Sequence, residues 1–113
     1  MRAEVLKGHL DGLLLAVLES GPAHGYAVIE ALRTSSGGAF DLPTGTVYPA
    51  LRRLEDMGLV ASSWSDESGR KRRVYALTTA GRKALTAQRT GWQDFASAVN
   101  AVMNGSPAWT PAT

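Results

Sequence analysis

Residues 44–77 read TGTVYPALRRLEDMGLVASSWSDESGRKRRVYAL, and within this stretch the apolar spacing changes its period. Val47, Leu51, Leu54 and Met57 recur at the spacing of one helix face, which predicts a helix over 45–57. Thr44 or Thr46 can supply its N-cap hydroxyl, and Gly58 reads as the left-handed residue just past its end. Pro49 fits only within the first turn or so, where backbone N–H groups are free in any case. From Leu59 the period falls to two. Residues 59–65 and 73–77 read as strands around the tip 66–72, giving a β-hairpin with a charged, glycine-containing turn.

Two helices precede this unit. Leu10, Leu14, Val17 and Leu18 share one face of a helix over about 9–19, and Leu13 and Leu15 widen its stripe. That excess points to burial on two sides, with a second subunit as one candidate cover. Ser20-Gly21-Pro22 ends the helix. A second fits 24–34, with Tyr26, Ile29, Leu32 and Arg33 on one side, and the Ser-Gly loop from Thr34 to Gly38 closes it. A last helix follows the hairpin, capped by Thr78 or Thr79 and running to about Met103. Leu85, Trp92 and Val99 lie seven apart on it, and Gln88, Phe95 and Val102 form a parallel row. This heptad seam calls for a partner helix, or for packing against its own core.

The chain has 113 residues, 44% hydrophobic and 19% charged, which is one ordinary globular domain. It has no cysteine, which excludes disulfides, thiolate metal sites and cysteine nucleophiles. No apolar run approaches the roughly 20 residues of a membrane span. The segment Met1–Lys7 has an early acid and no long apolar stretch, unlike a signal peptide. A soluble cytoplasmic domain is expected. His9 and His24 lie at no metal-ligand spacing, and neither a nucleophile elbow nor a Walker loop occurs. No enzyme, metal or cofactor is expected.

The net charge of +2 is unevenly placed. Residues 1–60 hold five basic and seven acidic residues, and residues 61–113 hold seven and three. Arg70, Lys71, Arg72 and Arg73 form an unbroken basic run. Such a run is either a solvated loop tip or a focused contact with a polyanion.

The order helix, helix, helix, hairpin, helix makes the fold class α+β, mainly α. It is a winged helix-turn-helix of three helices and a β-hairpin wing, with a long C-terminal dimerisation helix. The division is 1–78 for the DNA-binding unit, 79–103 for the dimerisation helix and 104–113 for a flexible tail. In such a fold the third helix enters the major groove and the wing reaches the adjacent backbone. The third helix offers Thr44, Thr46, Tyr48, Arg52 and Arg53, and the wing offers the basic run. Hydroxyls and cations of this kind bind phosphates, and arginine can also pair with guanine. Double-stranded DNA is the expected partner. A winged-helix module that binds protein and not DNA is the alternative.

His24-Gly25-Tyr26, the run from Leu42 to Glu55, Gly58-Leu59-Val60 and the segment Arg72–Gly81 together resemble the PadR family of transcriptional regulators. The resemblance spans about residues 8–103 and is closest to the short subfamily with one C-terminal helix. It implies a homodimeric DNA-binding regulator, usually a repressor, reading a pseudo-palindromic operator. On that pattern Thr44, Gly45, Thr46, Tyr48 and Pro49 lie at recognition-helix contacts, Tyr26 lies at the phosphates, and Arg70, Lys71, Arg72 and Arg73 lie on the wing. Partial core packing with an outward hydroxyl is the other reading of Tyr26 and Tyr48, and Gly45 can serve only the turn into the helix. The expected dimer interface is Leu10, Leu14, Leu85, Trp92, Phe95, Val99 and Val102.

The resemblance also singles out Trp92, because short relatives stack planar aromatic effectors between paired tryptophans of the last helix. Gly12 on the facing first helix leaves room, Asp11 favours a cationic ligand, and Arg89 departs from an apolar lining and favours an anion. Interface packing alone is the competing role for Trp92. Trp64 reads as wing-to-core packing, and Trp109 lies in the tail.

Overall fold

The computed structural model describes Leu6 and residues 8–105, and its centre is the first helix, α1 (Leu10–Leu18). Leu14, Leu15 and Leu18 of α1 are fully buried. They meet Val28 and Leu32 of α2 (Gly25–Ser35) and Val47, Leu51 and Leu54 of α3 (Thr44–Asp56) in one core. A strand pair, β2 (Val60–Ser65) and β3 (Arg72–Leu77), follows α3 and leads into α4 (Thr79–Met103). The surplus of leucines on α1 is largely explained within one chain, because α2, α3, β3 and α4 all pack around it.

The sheet has a third member. Ala23 and His24 form a short strand, β1, and the antiparallel order is β1-β3-β2. Two residues are too few to show a period, so this strand has no sequence signature. Ala23 pairs with Tyr75 and His24 with Val74, which ties the start of α2 to the wing. Val60 pairs with Leu77 and Trp64 with Arg73.

Several sequence expectations need correction. Pro43 is the N-cap of α3, and neither Thr44 nor Thr46 caps it. Pro49 is therefore the sixth helical residue, beyond the first turn. It lacks the N–H that would bond the Gly45 carbonyl, but Gly45 is exposed and solvent can satisfy that oxygen. Met57 is the C-cap and lies 58% exposed, outside the buried face. On α2, Val28 enters the core and Tyr26 points outward. Trp64 is 65% exposed and does not reach the core, because only Val60 at the strand's base is deep enough. Of the tail, Asn104 and Gly105 are described, and the rest lies outside the described residues.

Gly58 ends α3 as expected. Its φ is 76°, its N–H donates to Glu55 at 2.9 Å, and the Leu59 N–H donates to Leu54 at 2.9 Å. This pair of bonds is the Schellman arrangement, which left-handed glycine permits. The same point anchors α4. The Thr78 hydroxyl donates to the Gly58 carbonyl at 2.7 Å and accepts from the Gly81 N–H at 3.0 Å, capping α4. The Thr78 N–H donates to the Leu59 carbonyl at 3.1 Å. Gly81 is buried so closely here that a Cβ would stand 1.9 Å from the Leu59 carbonyl oxygen. That contact is with backbone and cannot be relieved by a side-chain rotation. Gly81→Ala is expected to lower stability by about 3 kcal/mol through overpacking. Thr78→Ala should cost about 1–2 kcal/mol, and Thr78→Ser less than either. Urea unfolding midpoints measure the order of the three.

Candidate nucleic-acid interface

α2 and α3 form a helix-turn-helix, and the β2–β3 hairpin flanks it as a wing. On α3 the buried set is Val47, Ala50, Leu51 and Leu54. By the 3.6-residue period, Gly45, Pro49 and Arg52 then lie on the opposite, exposed face. This face is low in bulk: nothing approaches within 4 Å of where a Gly45 Cβ would stand. Thr44 is exposed at the first turn, and Thr46 is half-buried.

Tyr48 lies to one side of this face, over α2. Gly25 makes this possible, because a Cβ there would fall 2.3 Å from the Tyr48 ring. Tyr26 meets Tyr48 edge-on, with centroids 6.2 Å apart and an interplanar angle of 77°. Tyr26 is itself 67% exposed. Burial is the main effect that pushes the Tyr48 phenol above its ordinary pKa; Tyr26 and Tyr75 add to it and Arg72 opposes it. Tyr48 therefore keeps its proton at neutral pH and can donate to a phosphate or a base edge.

His24 joins α2 to the wing. Its Nδ1 accepts from the Ala27 N–H at 3.3 Å, which caps α2, and its Nε2 lies 2.8 Å from an Arg72 Nη1. Arg73 is tied to α3 instead. Its Nε donates to the Ser62 hydroxyl at 2.9 Å, Ser62 donates to Glu55, and an Arg73 Nη2 lies 3.8 Å from the same carboxylate. The Arg73 guanidinium also stands 5.2 Å from the Trp64 ring centroid, in cation–π contact. Arg53 pairs with Asp11 of α1. Among the described residues, Arg52, Arg70 and Lys71 make no side-chain hydrogen bond or ion pair. The six cations thus divide into three untethered and three held by partners.

Glu55 and Ser62, which hold Arg73, carried no sequence signal, because spacing along the chain says nothing of contacts between α3 and β2. The link from Asp11 to Arg53, 42 residues apart, is equally invisible in sequence.

The expected ligand residues do not gather in one chain. Asp11 is engaged by Arg53. The space beside Gly12 is occupied by the Gln88 side chain, whose Oε1 would lie 2.4 Å from a Cβ there. Arg89 donates to Glu19 at 3.0 and 3.3 Å. That hydrogen bond holds the Glu19 carboxyl below its ordinary pKa and raises that of Arg89. Trp92 meets His9 edge-on at 5.4 Å and lies tilted to Phe95 at 6.1 Å. Two expected interface residues are also corrected. Leu14 and Leu85 are 0% and 4% exposed, inside the chain's own core, and Leu10 is half-buried against it. Trp92, Phe95, Val99 and Val102 do face outward, from 37% to 81% exposed, with Met103 beside them.

A helix-turn-helix flanked by a β-wing, with cations on both, defines a winged-helix DNA-binding protein. Residues 14–87 match the Transcriptional regulator PadR-like family, and the chain belongs to it. It is accordingly a DNA-binding transcriptional regulator and not an enzyme. Among curated relatives it is 49% identical over 55 residues to a transcriptional regulator of Mycobacterium tuberculosis, spanning 49% of this chain and 51% of that one. A PadR family transcription regulator from Clostridium difficile superposes with a TM-score of 0.76 at 30% identity, over 84% of this chain and 98% of that one. A PadR-like transcriptional regulator from Bacillus cereus superposes with a TM-score of 0.80 at 26% identity, over 90% and 98%. Among the described residues no helix is long and apolar enough to cross a membrane, and no three His, Asp or Glu side chains gather as a metal site.

The Tyr48–Gly25 fit generates a stability test. Gly25→Ala is expected to cost about 2 kcal/mol by overpacking. Tyr48→Phe should not relieve it, because ring carbons and not only the hydroxyl collide, whereas Tyr48→Ala should. Thermal unfolding of the single and paired variants checks the pattern.

Proposed function

We propose that the chain is a homodimeric repressor that grips a pseudo-palindromic operator and is released or retained by an effector. The observation that carries this reading is the separation of two surfaces on one small fold. Untethered Arg52, Arg70 and Lys71 lie on α3 and the wing, and the exposed apolar residues Trp92, Phe95, Val99 and Val102 lie on α4. A contiguous apolar row on an exposed helix favours a partner helix, since water gains nothing from it. Two-fold pairing through α4 would present two recognition helices, matching half-sites about one helical turn apart. A repressor acts by occupying that site. Trp92, 54% exposed with only an edge contact to His9 and a tilted one to Phe95, keeps ring surface open. That surface supports planar aromatic compounds stacking between paired indoles.

Binding to the chain's own upstream DNA, followed by fluorescence anisotropy across a salt series, tests the DNA contact. The paired substitution Arg70→Ala with Lys71→Ala should flatten the log–log salt slope by about 0.9 for each phosphate that is no longer neutralised. Binding that is absent at low salt, or indifferent to salt, would favour the protein-interaction module. Sedimentation should show twice the chain mass, and Val99→Glu should return it to one chain. Tryptophan fluorescence should quench on adding a planar aromatic cation, and Trp92→Ala should abolish that response.

A further inference from the structure

We propose that Asp11 is a positioning residue that holds Arg53 back from the DNA backbone. The carboxylate on α1 then sets how many α3 arginines grip phosphate. The proposal rests on the DNA-binding reading and deepens it at one residue pair.

The three held arginines are held differently. Arg72 contacts an imidazole, and Arg73 shares a carboxylate on α3 itself, so both partners belong to the helix-turn-helix and wing. Arg53 is paired with a residue of α1, an element that carries none of the candidate DNA contacts. By the helical period Arg53 and Thr46 lie on the same flank of α3, next to its exposed face. The Arg53 side chain remains 53% exposed and that of Asp11 27% exposed. An ion pair this open to water contributes little to the fold, so the carboxylate can be replaced without unfolding the chain. Asp11 cancels the guanidinium charge and draws the group toward α1. Once released, Arg53 has its whole donor fork for the two-pronged contact that phosphate accepts.

The charge arithmetic makes this readable. While Arg53 neutralises Asp11, it releases no counterion from DNA. Freed of Asp11, it becomes one more phosphate contact per protomer and steepens the salt slope by about 0.9. Over a fourfold fall in salt that amounts to roughly a threefold additional gain in affinity per protomer.

The test measures DNA binding across a salt series for the wild type, Asp11→Asn, Arg53→Ala and the double variant. Asp11→Asn should bind more tightly and with the steeper slope. Arg53→Ala alone should change the slope little, and the double variant should behave like Arg53→Ala. A merely structural Asp11 would not tighten binding when removed, and matching urea midpoints confirm that the variants fold. The proposal is overturned if Asp11→Asn leaves affinity and slope unchanged. It is equally overturned if Asp11→Asn tightens binding as much without Arg53, since Asp11 would then act only as a repelling charge. A slope flatter by about 0.9 per protomer in Arg53→Ala alone also defeats it, because Arg53 would already be on phosphate. No binding by the wild type at any salt removes the DNA reading, and this proposal with it. That result is distinct from the other three.

Discussion

One hydroxyl joins the parts of this molecule that must keep a fixed relation. The Thr78 side chain donates to the Gly58 carbonyl, at the end of the recognition helix, and accepts from Gly81, at the start of α4. The wing enters and leaves at the same point, through Leu59 and Leu77. Gly81 allows the approach by having no side chain. The end of α3, the wing and the outward α4 therefore share one backbone junction. A shift of α4 cannot occur there without disturbing the end of α3.

The arginines show why position matters more than number. Arg70, Lys71, Arg72 and Arg73 are adjacent in sequence, but β3 begins at Arg72, and strand alternation sends Arg72 and Arg73 to opposite faces. Arg72 turns toward β1 and His24, and Arg73 turns toward Glu55 and Trp64. Arg70 and Lys71 lie before the strand and stay open. A run that reads as one basic patch is thus two free cations and two structural ones. Arg52 and Arg53 divide in the same way on α3, because successive residues on a helix point about 100° apart.

Much of the fold was legible because its period changes are sharp. The helix spacing up to Met57 and the alternation from Leu59 each mark an element within a residue or two of its observed bounds, and the threonine cap with the heptads to Val102 does the same for α4. Gly58 and Thr78 were legible as punctuation, since their conformational roles are local. β1 was not, being two residues long, and its pairing with β3 is a long-range choice. The α4 row reads as one seam. Leu85 in fact belongs to the chain's own core, and only the stretch from Trp92 onward projects beyond it. Periodicity reports which residues share a face, and it does not report how far along that face the core extends.

The sequence by itself determined the four helices and the hairpin, their order, and the two surfaces on which cations and apolar side chains collect. These follow from short-range rules of period, capping and charge, which act over a few residues. Only the tertiary structure decided which cations are free, that Gln88 fills the space beside Gly12, and that Asp11 serves Arg53. Those outcomes depend on side chains 11 to 76 positions apart meeting across packed elements. No local pattern encodes such a meeting, because it is set by how the core brings α1, α3 and α4 together.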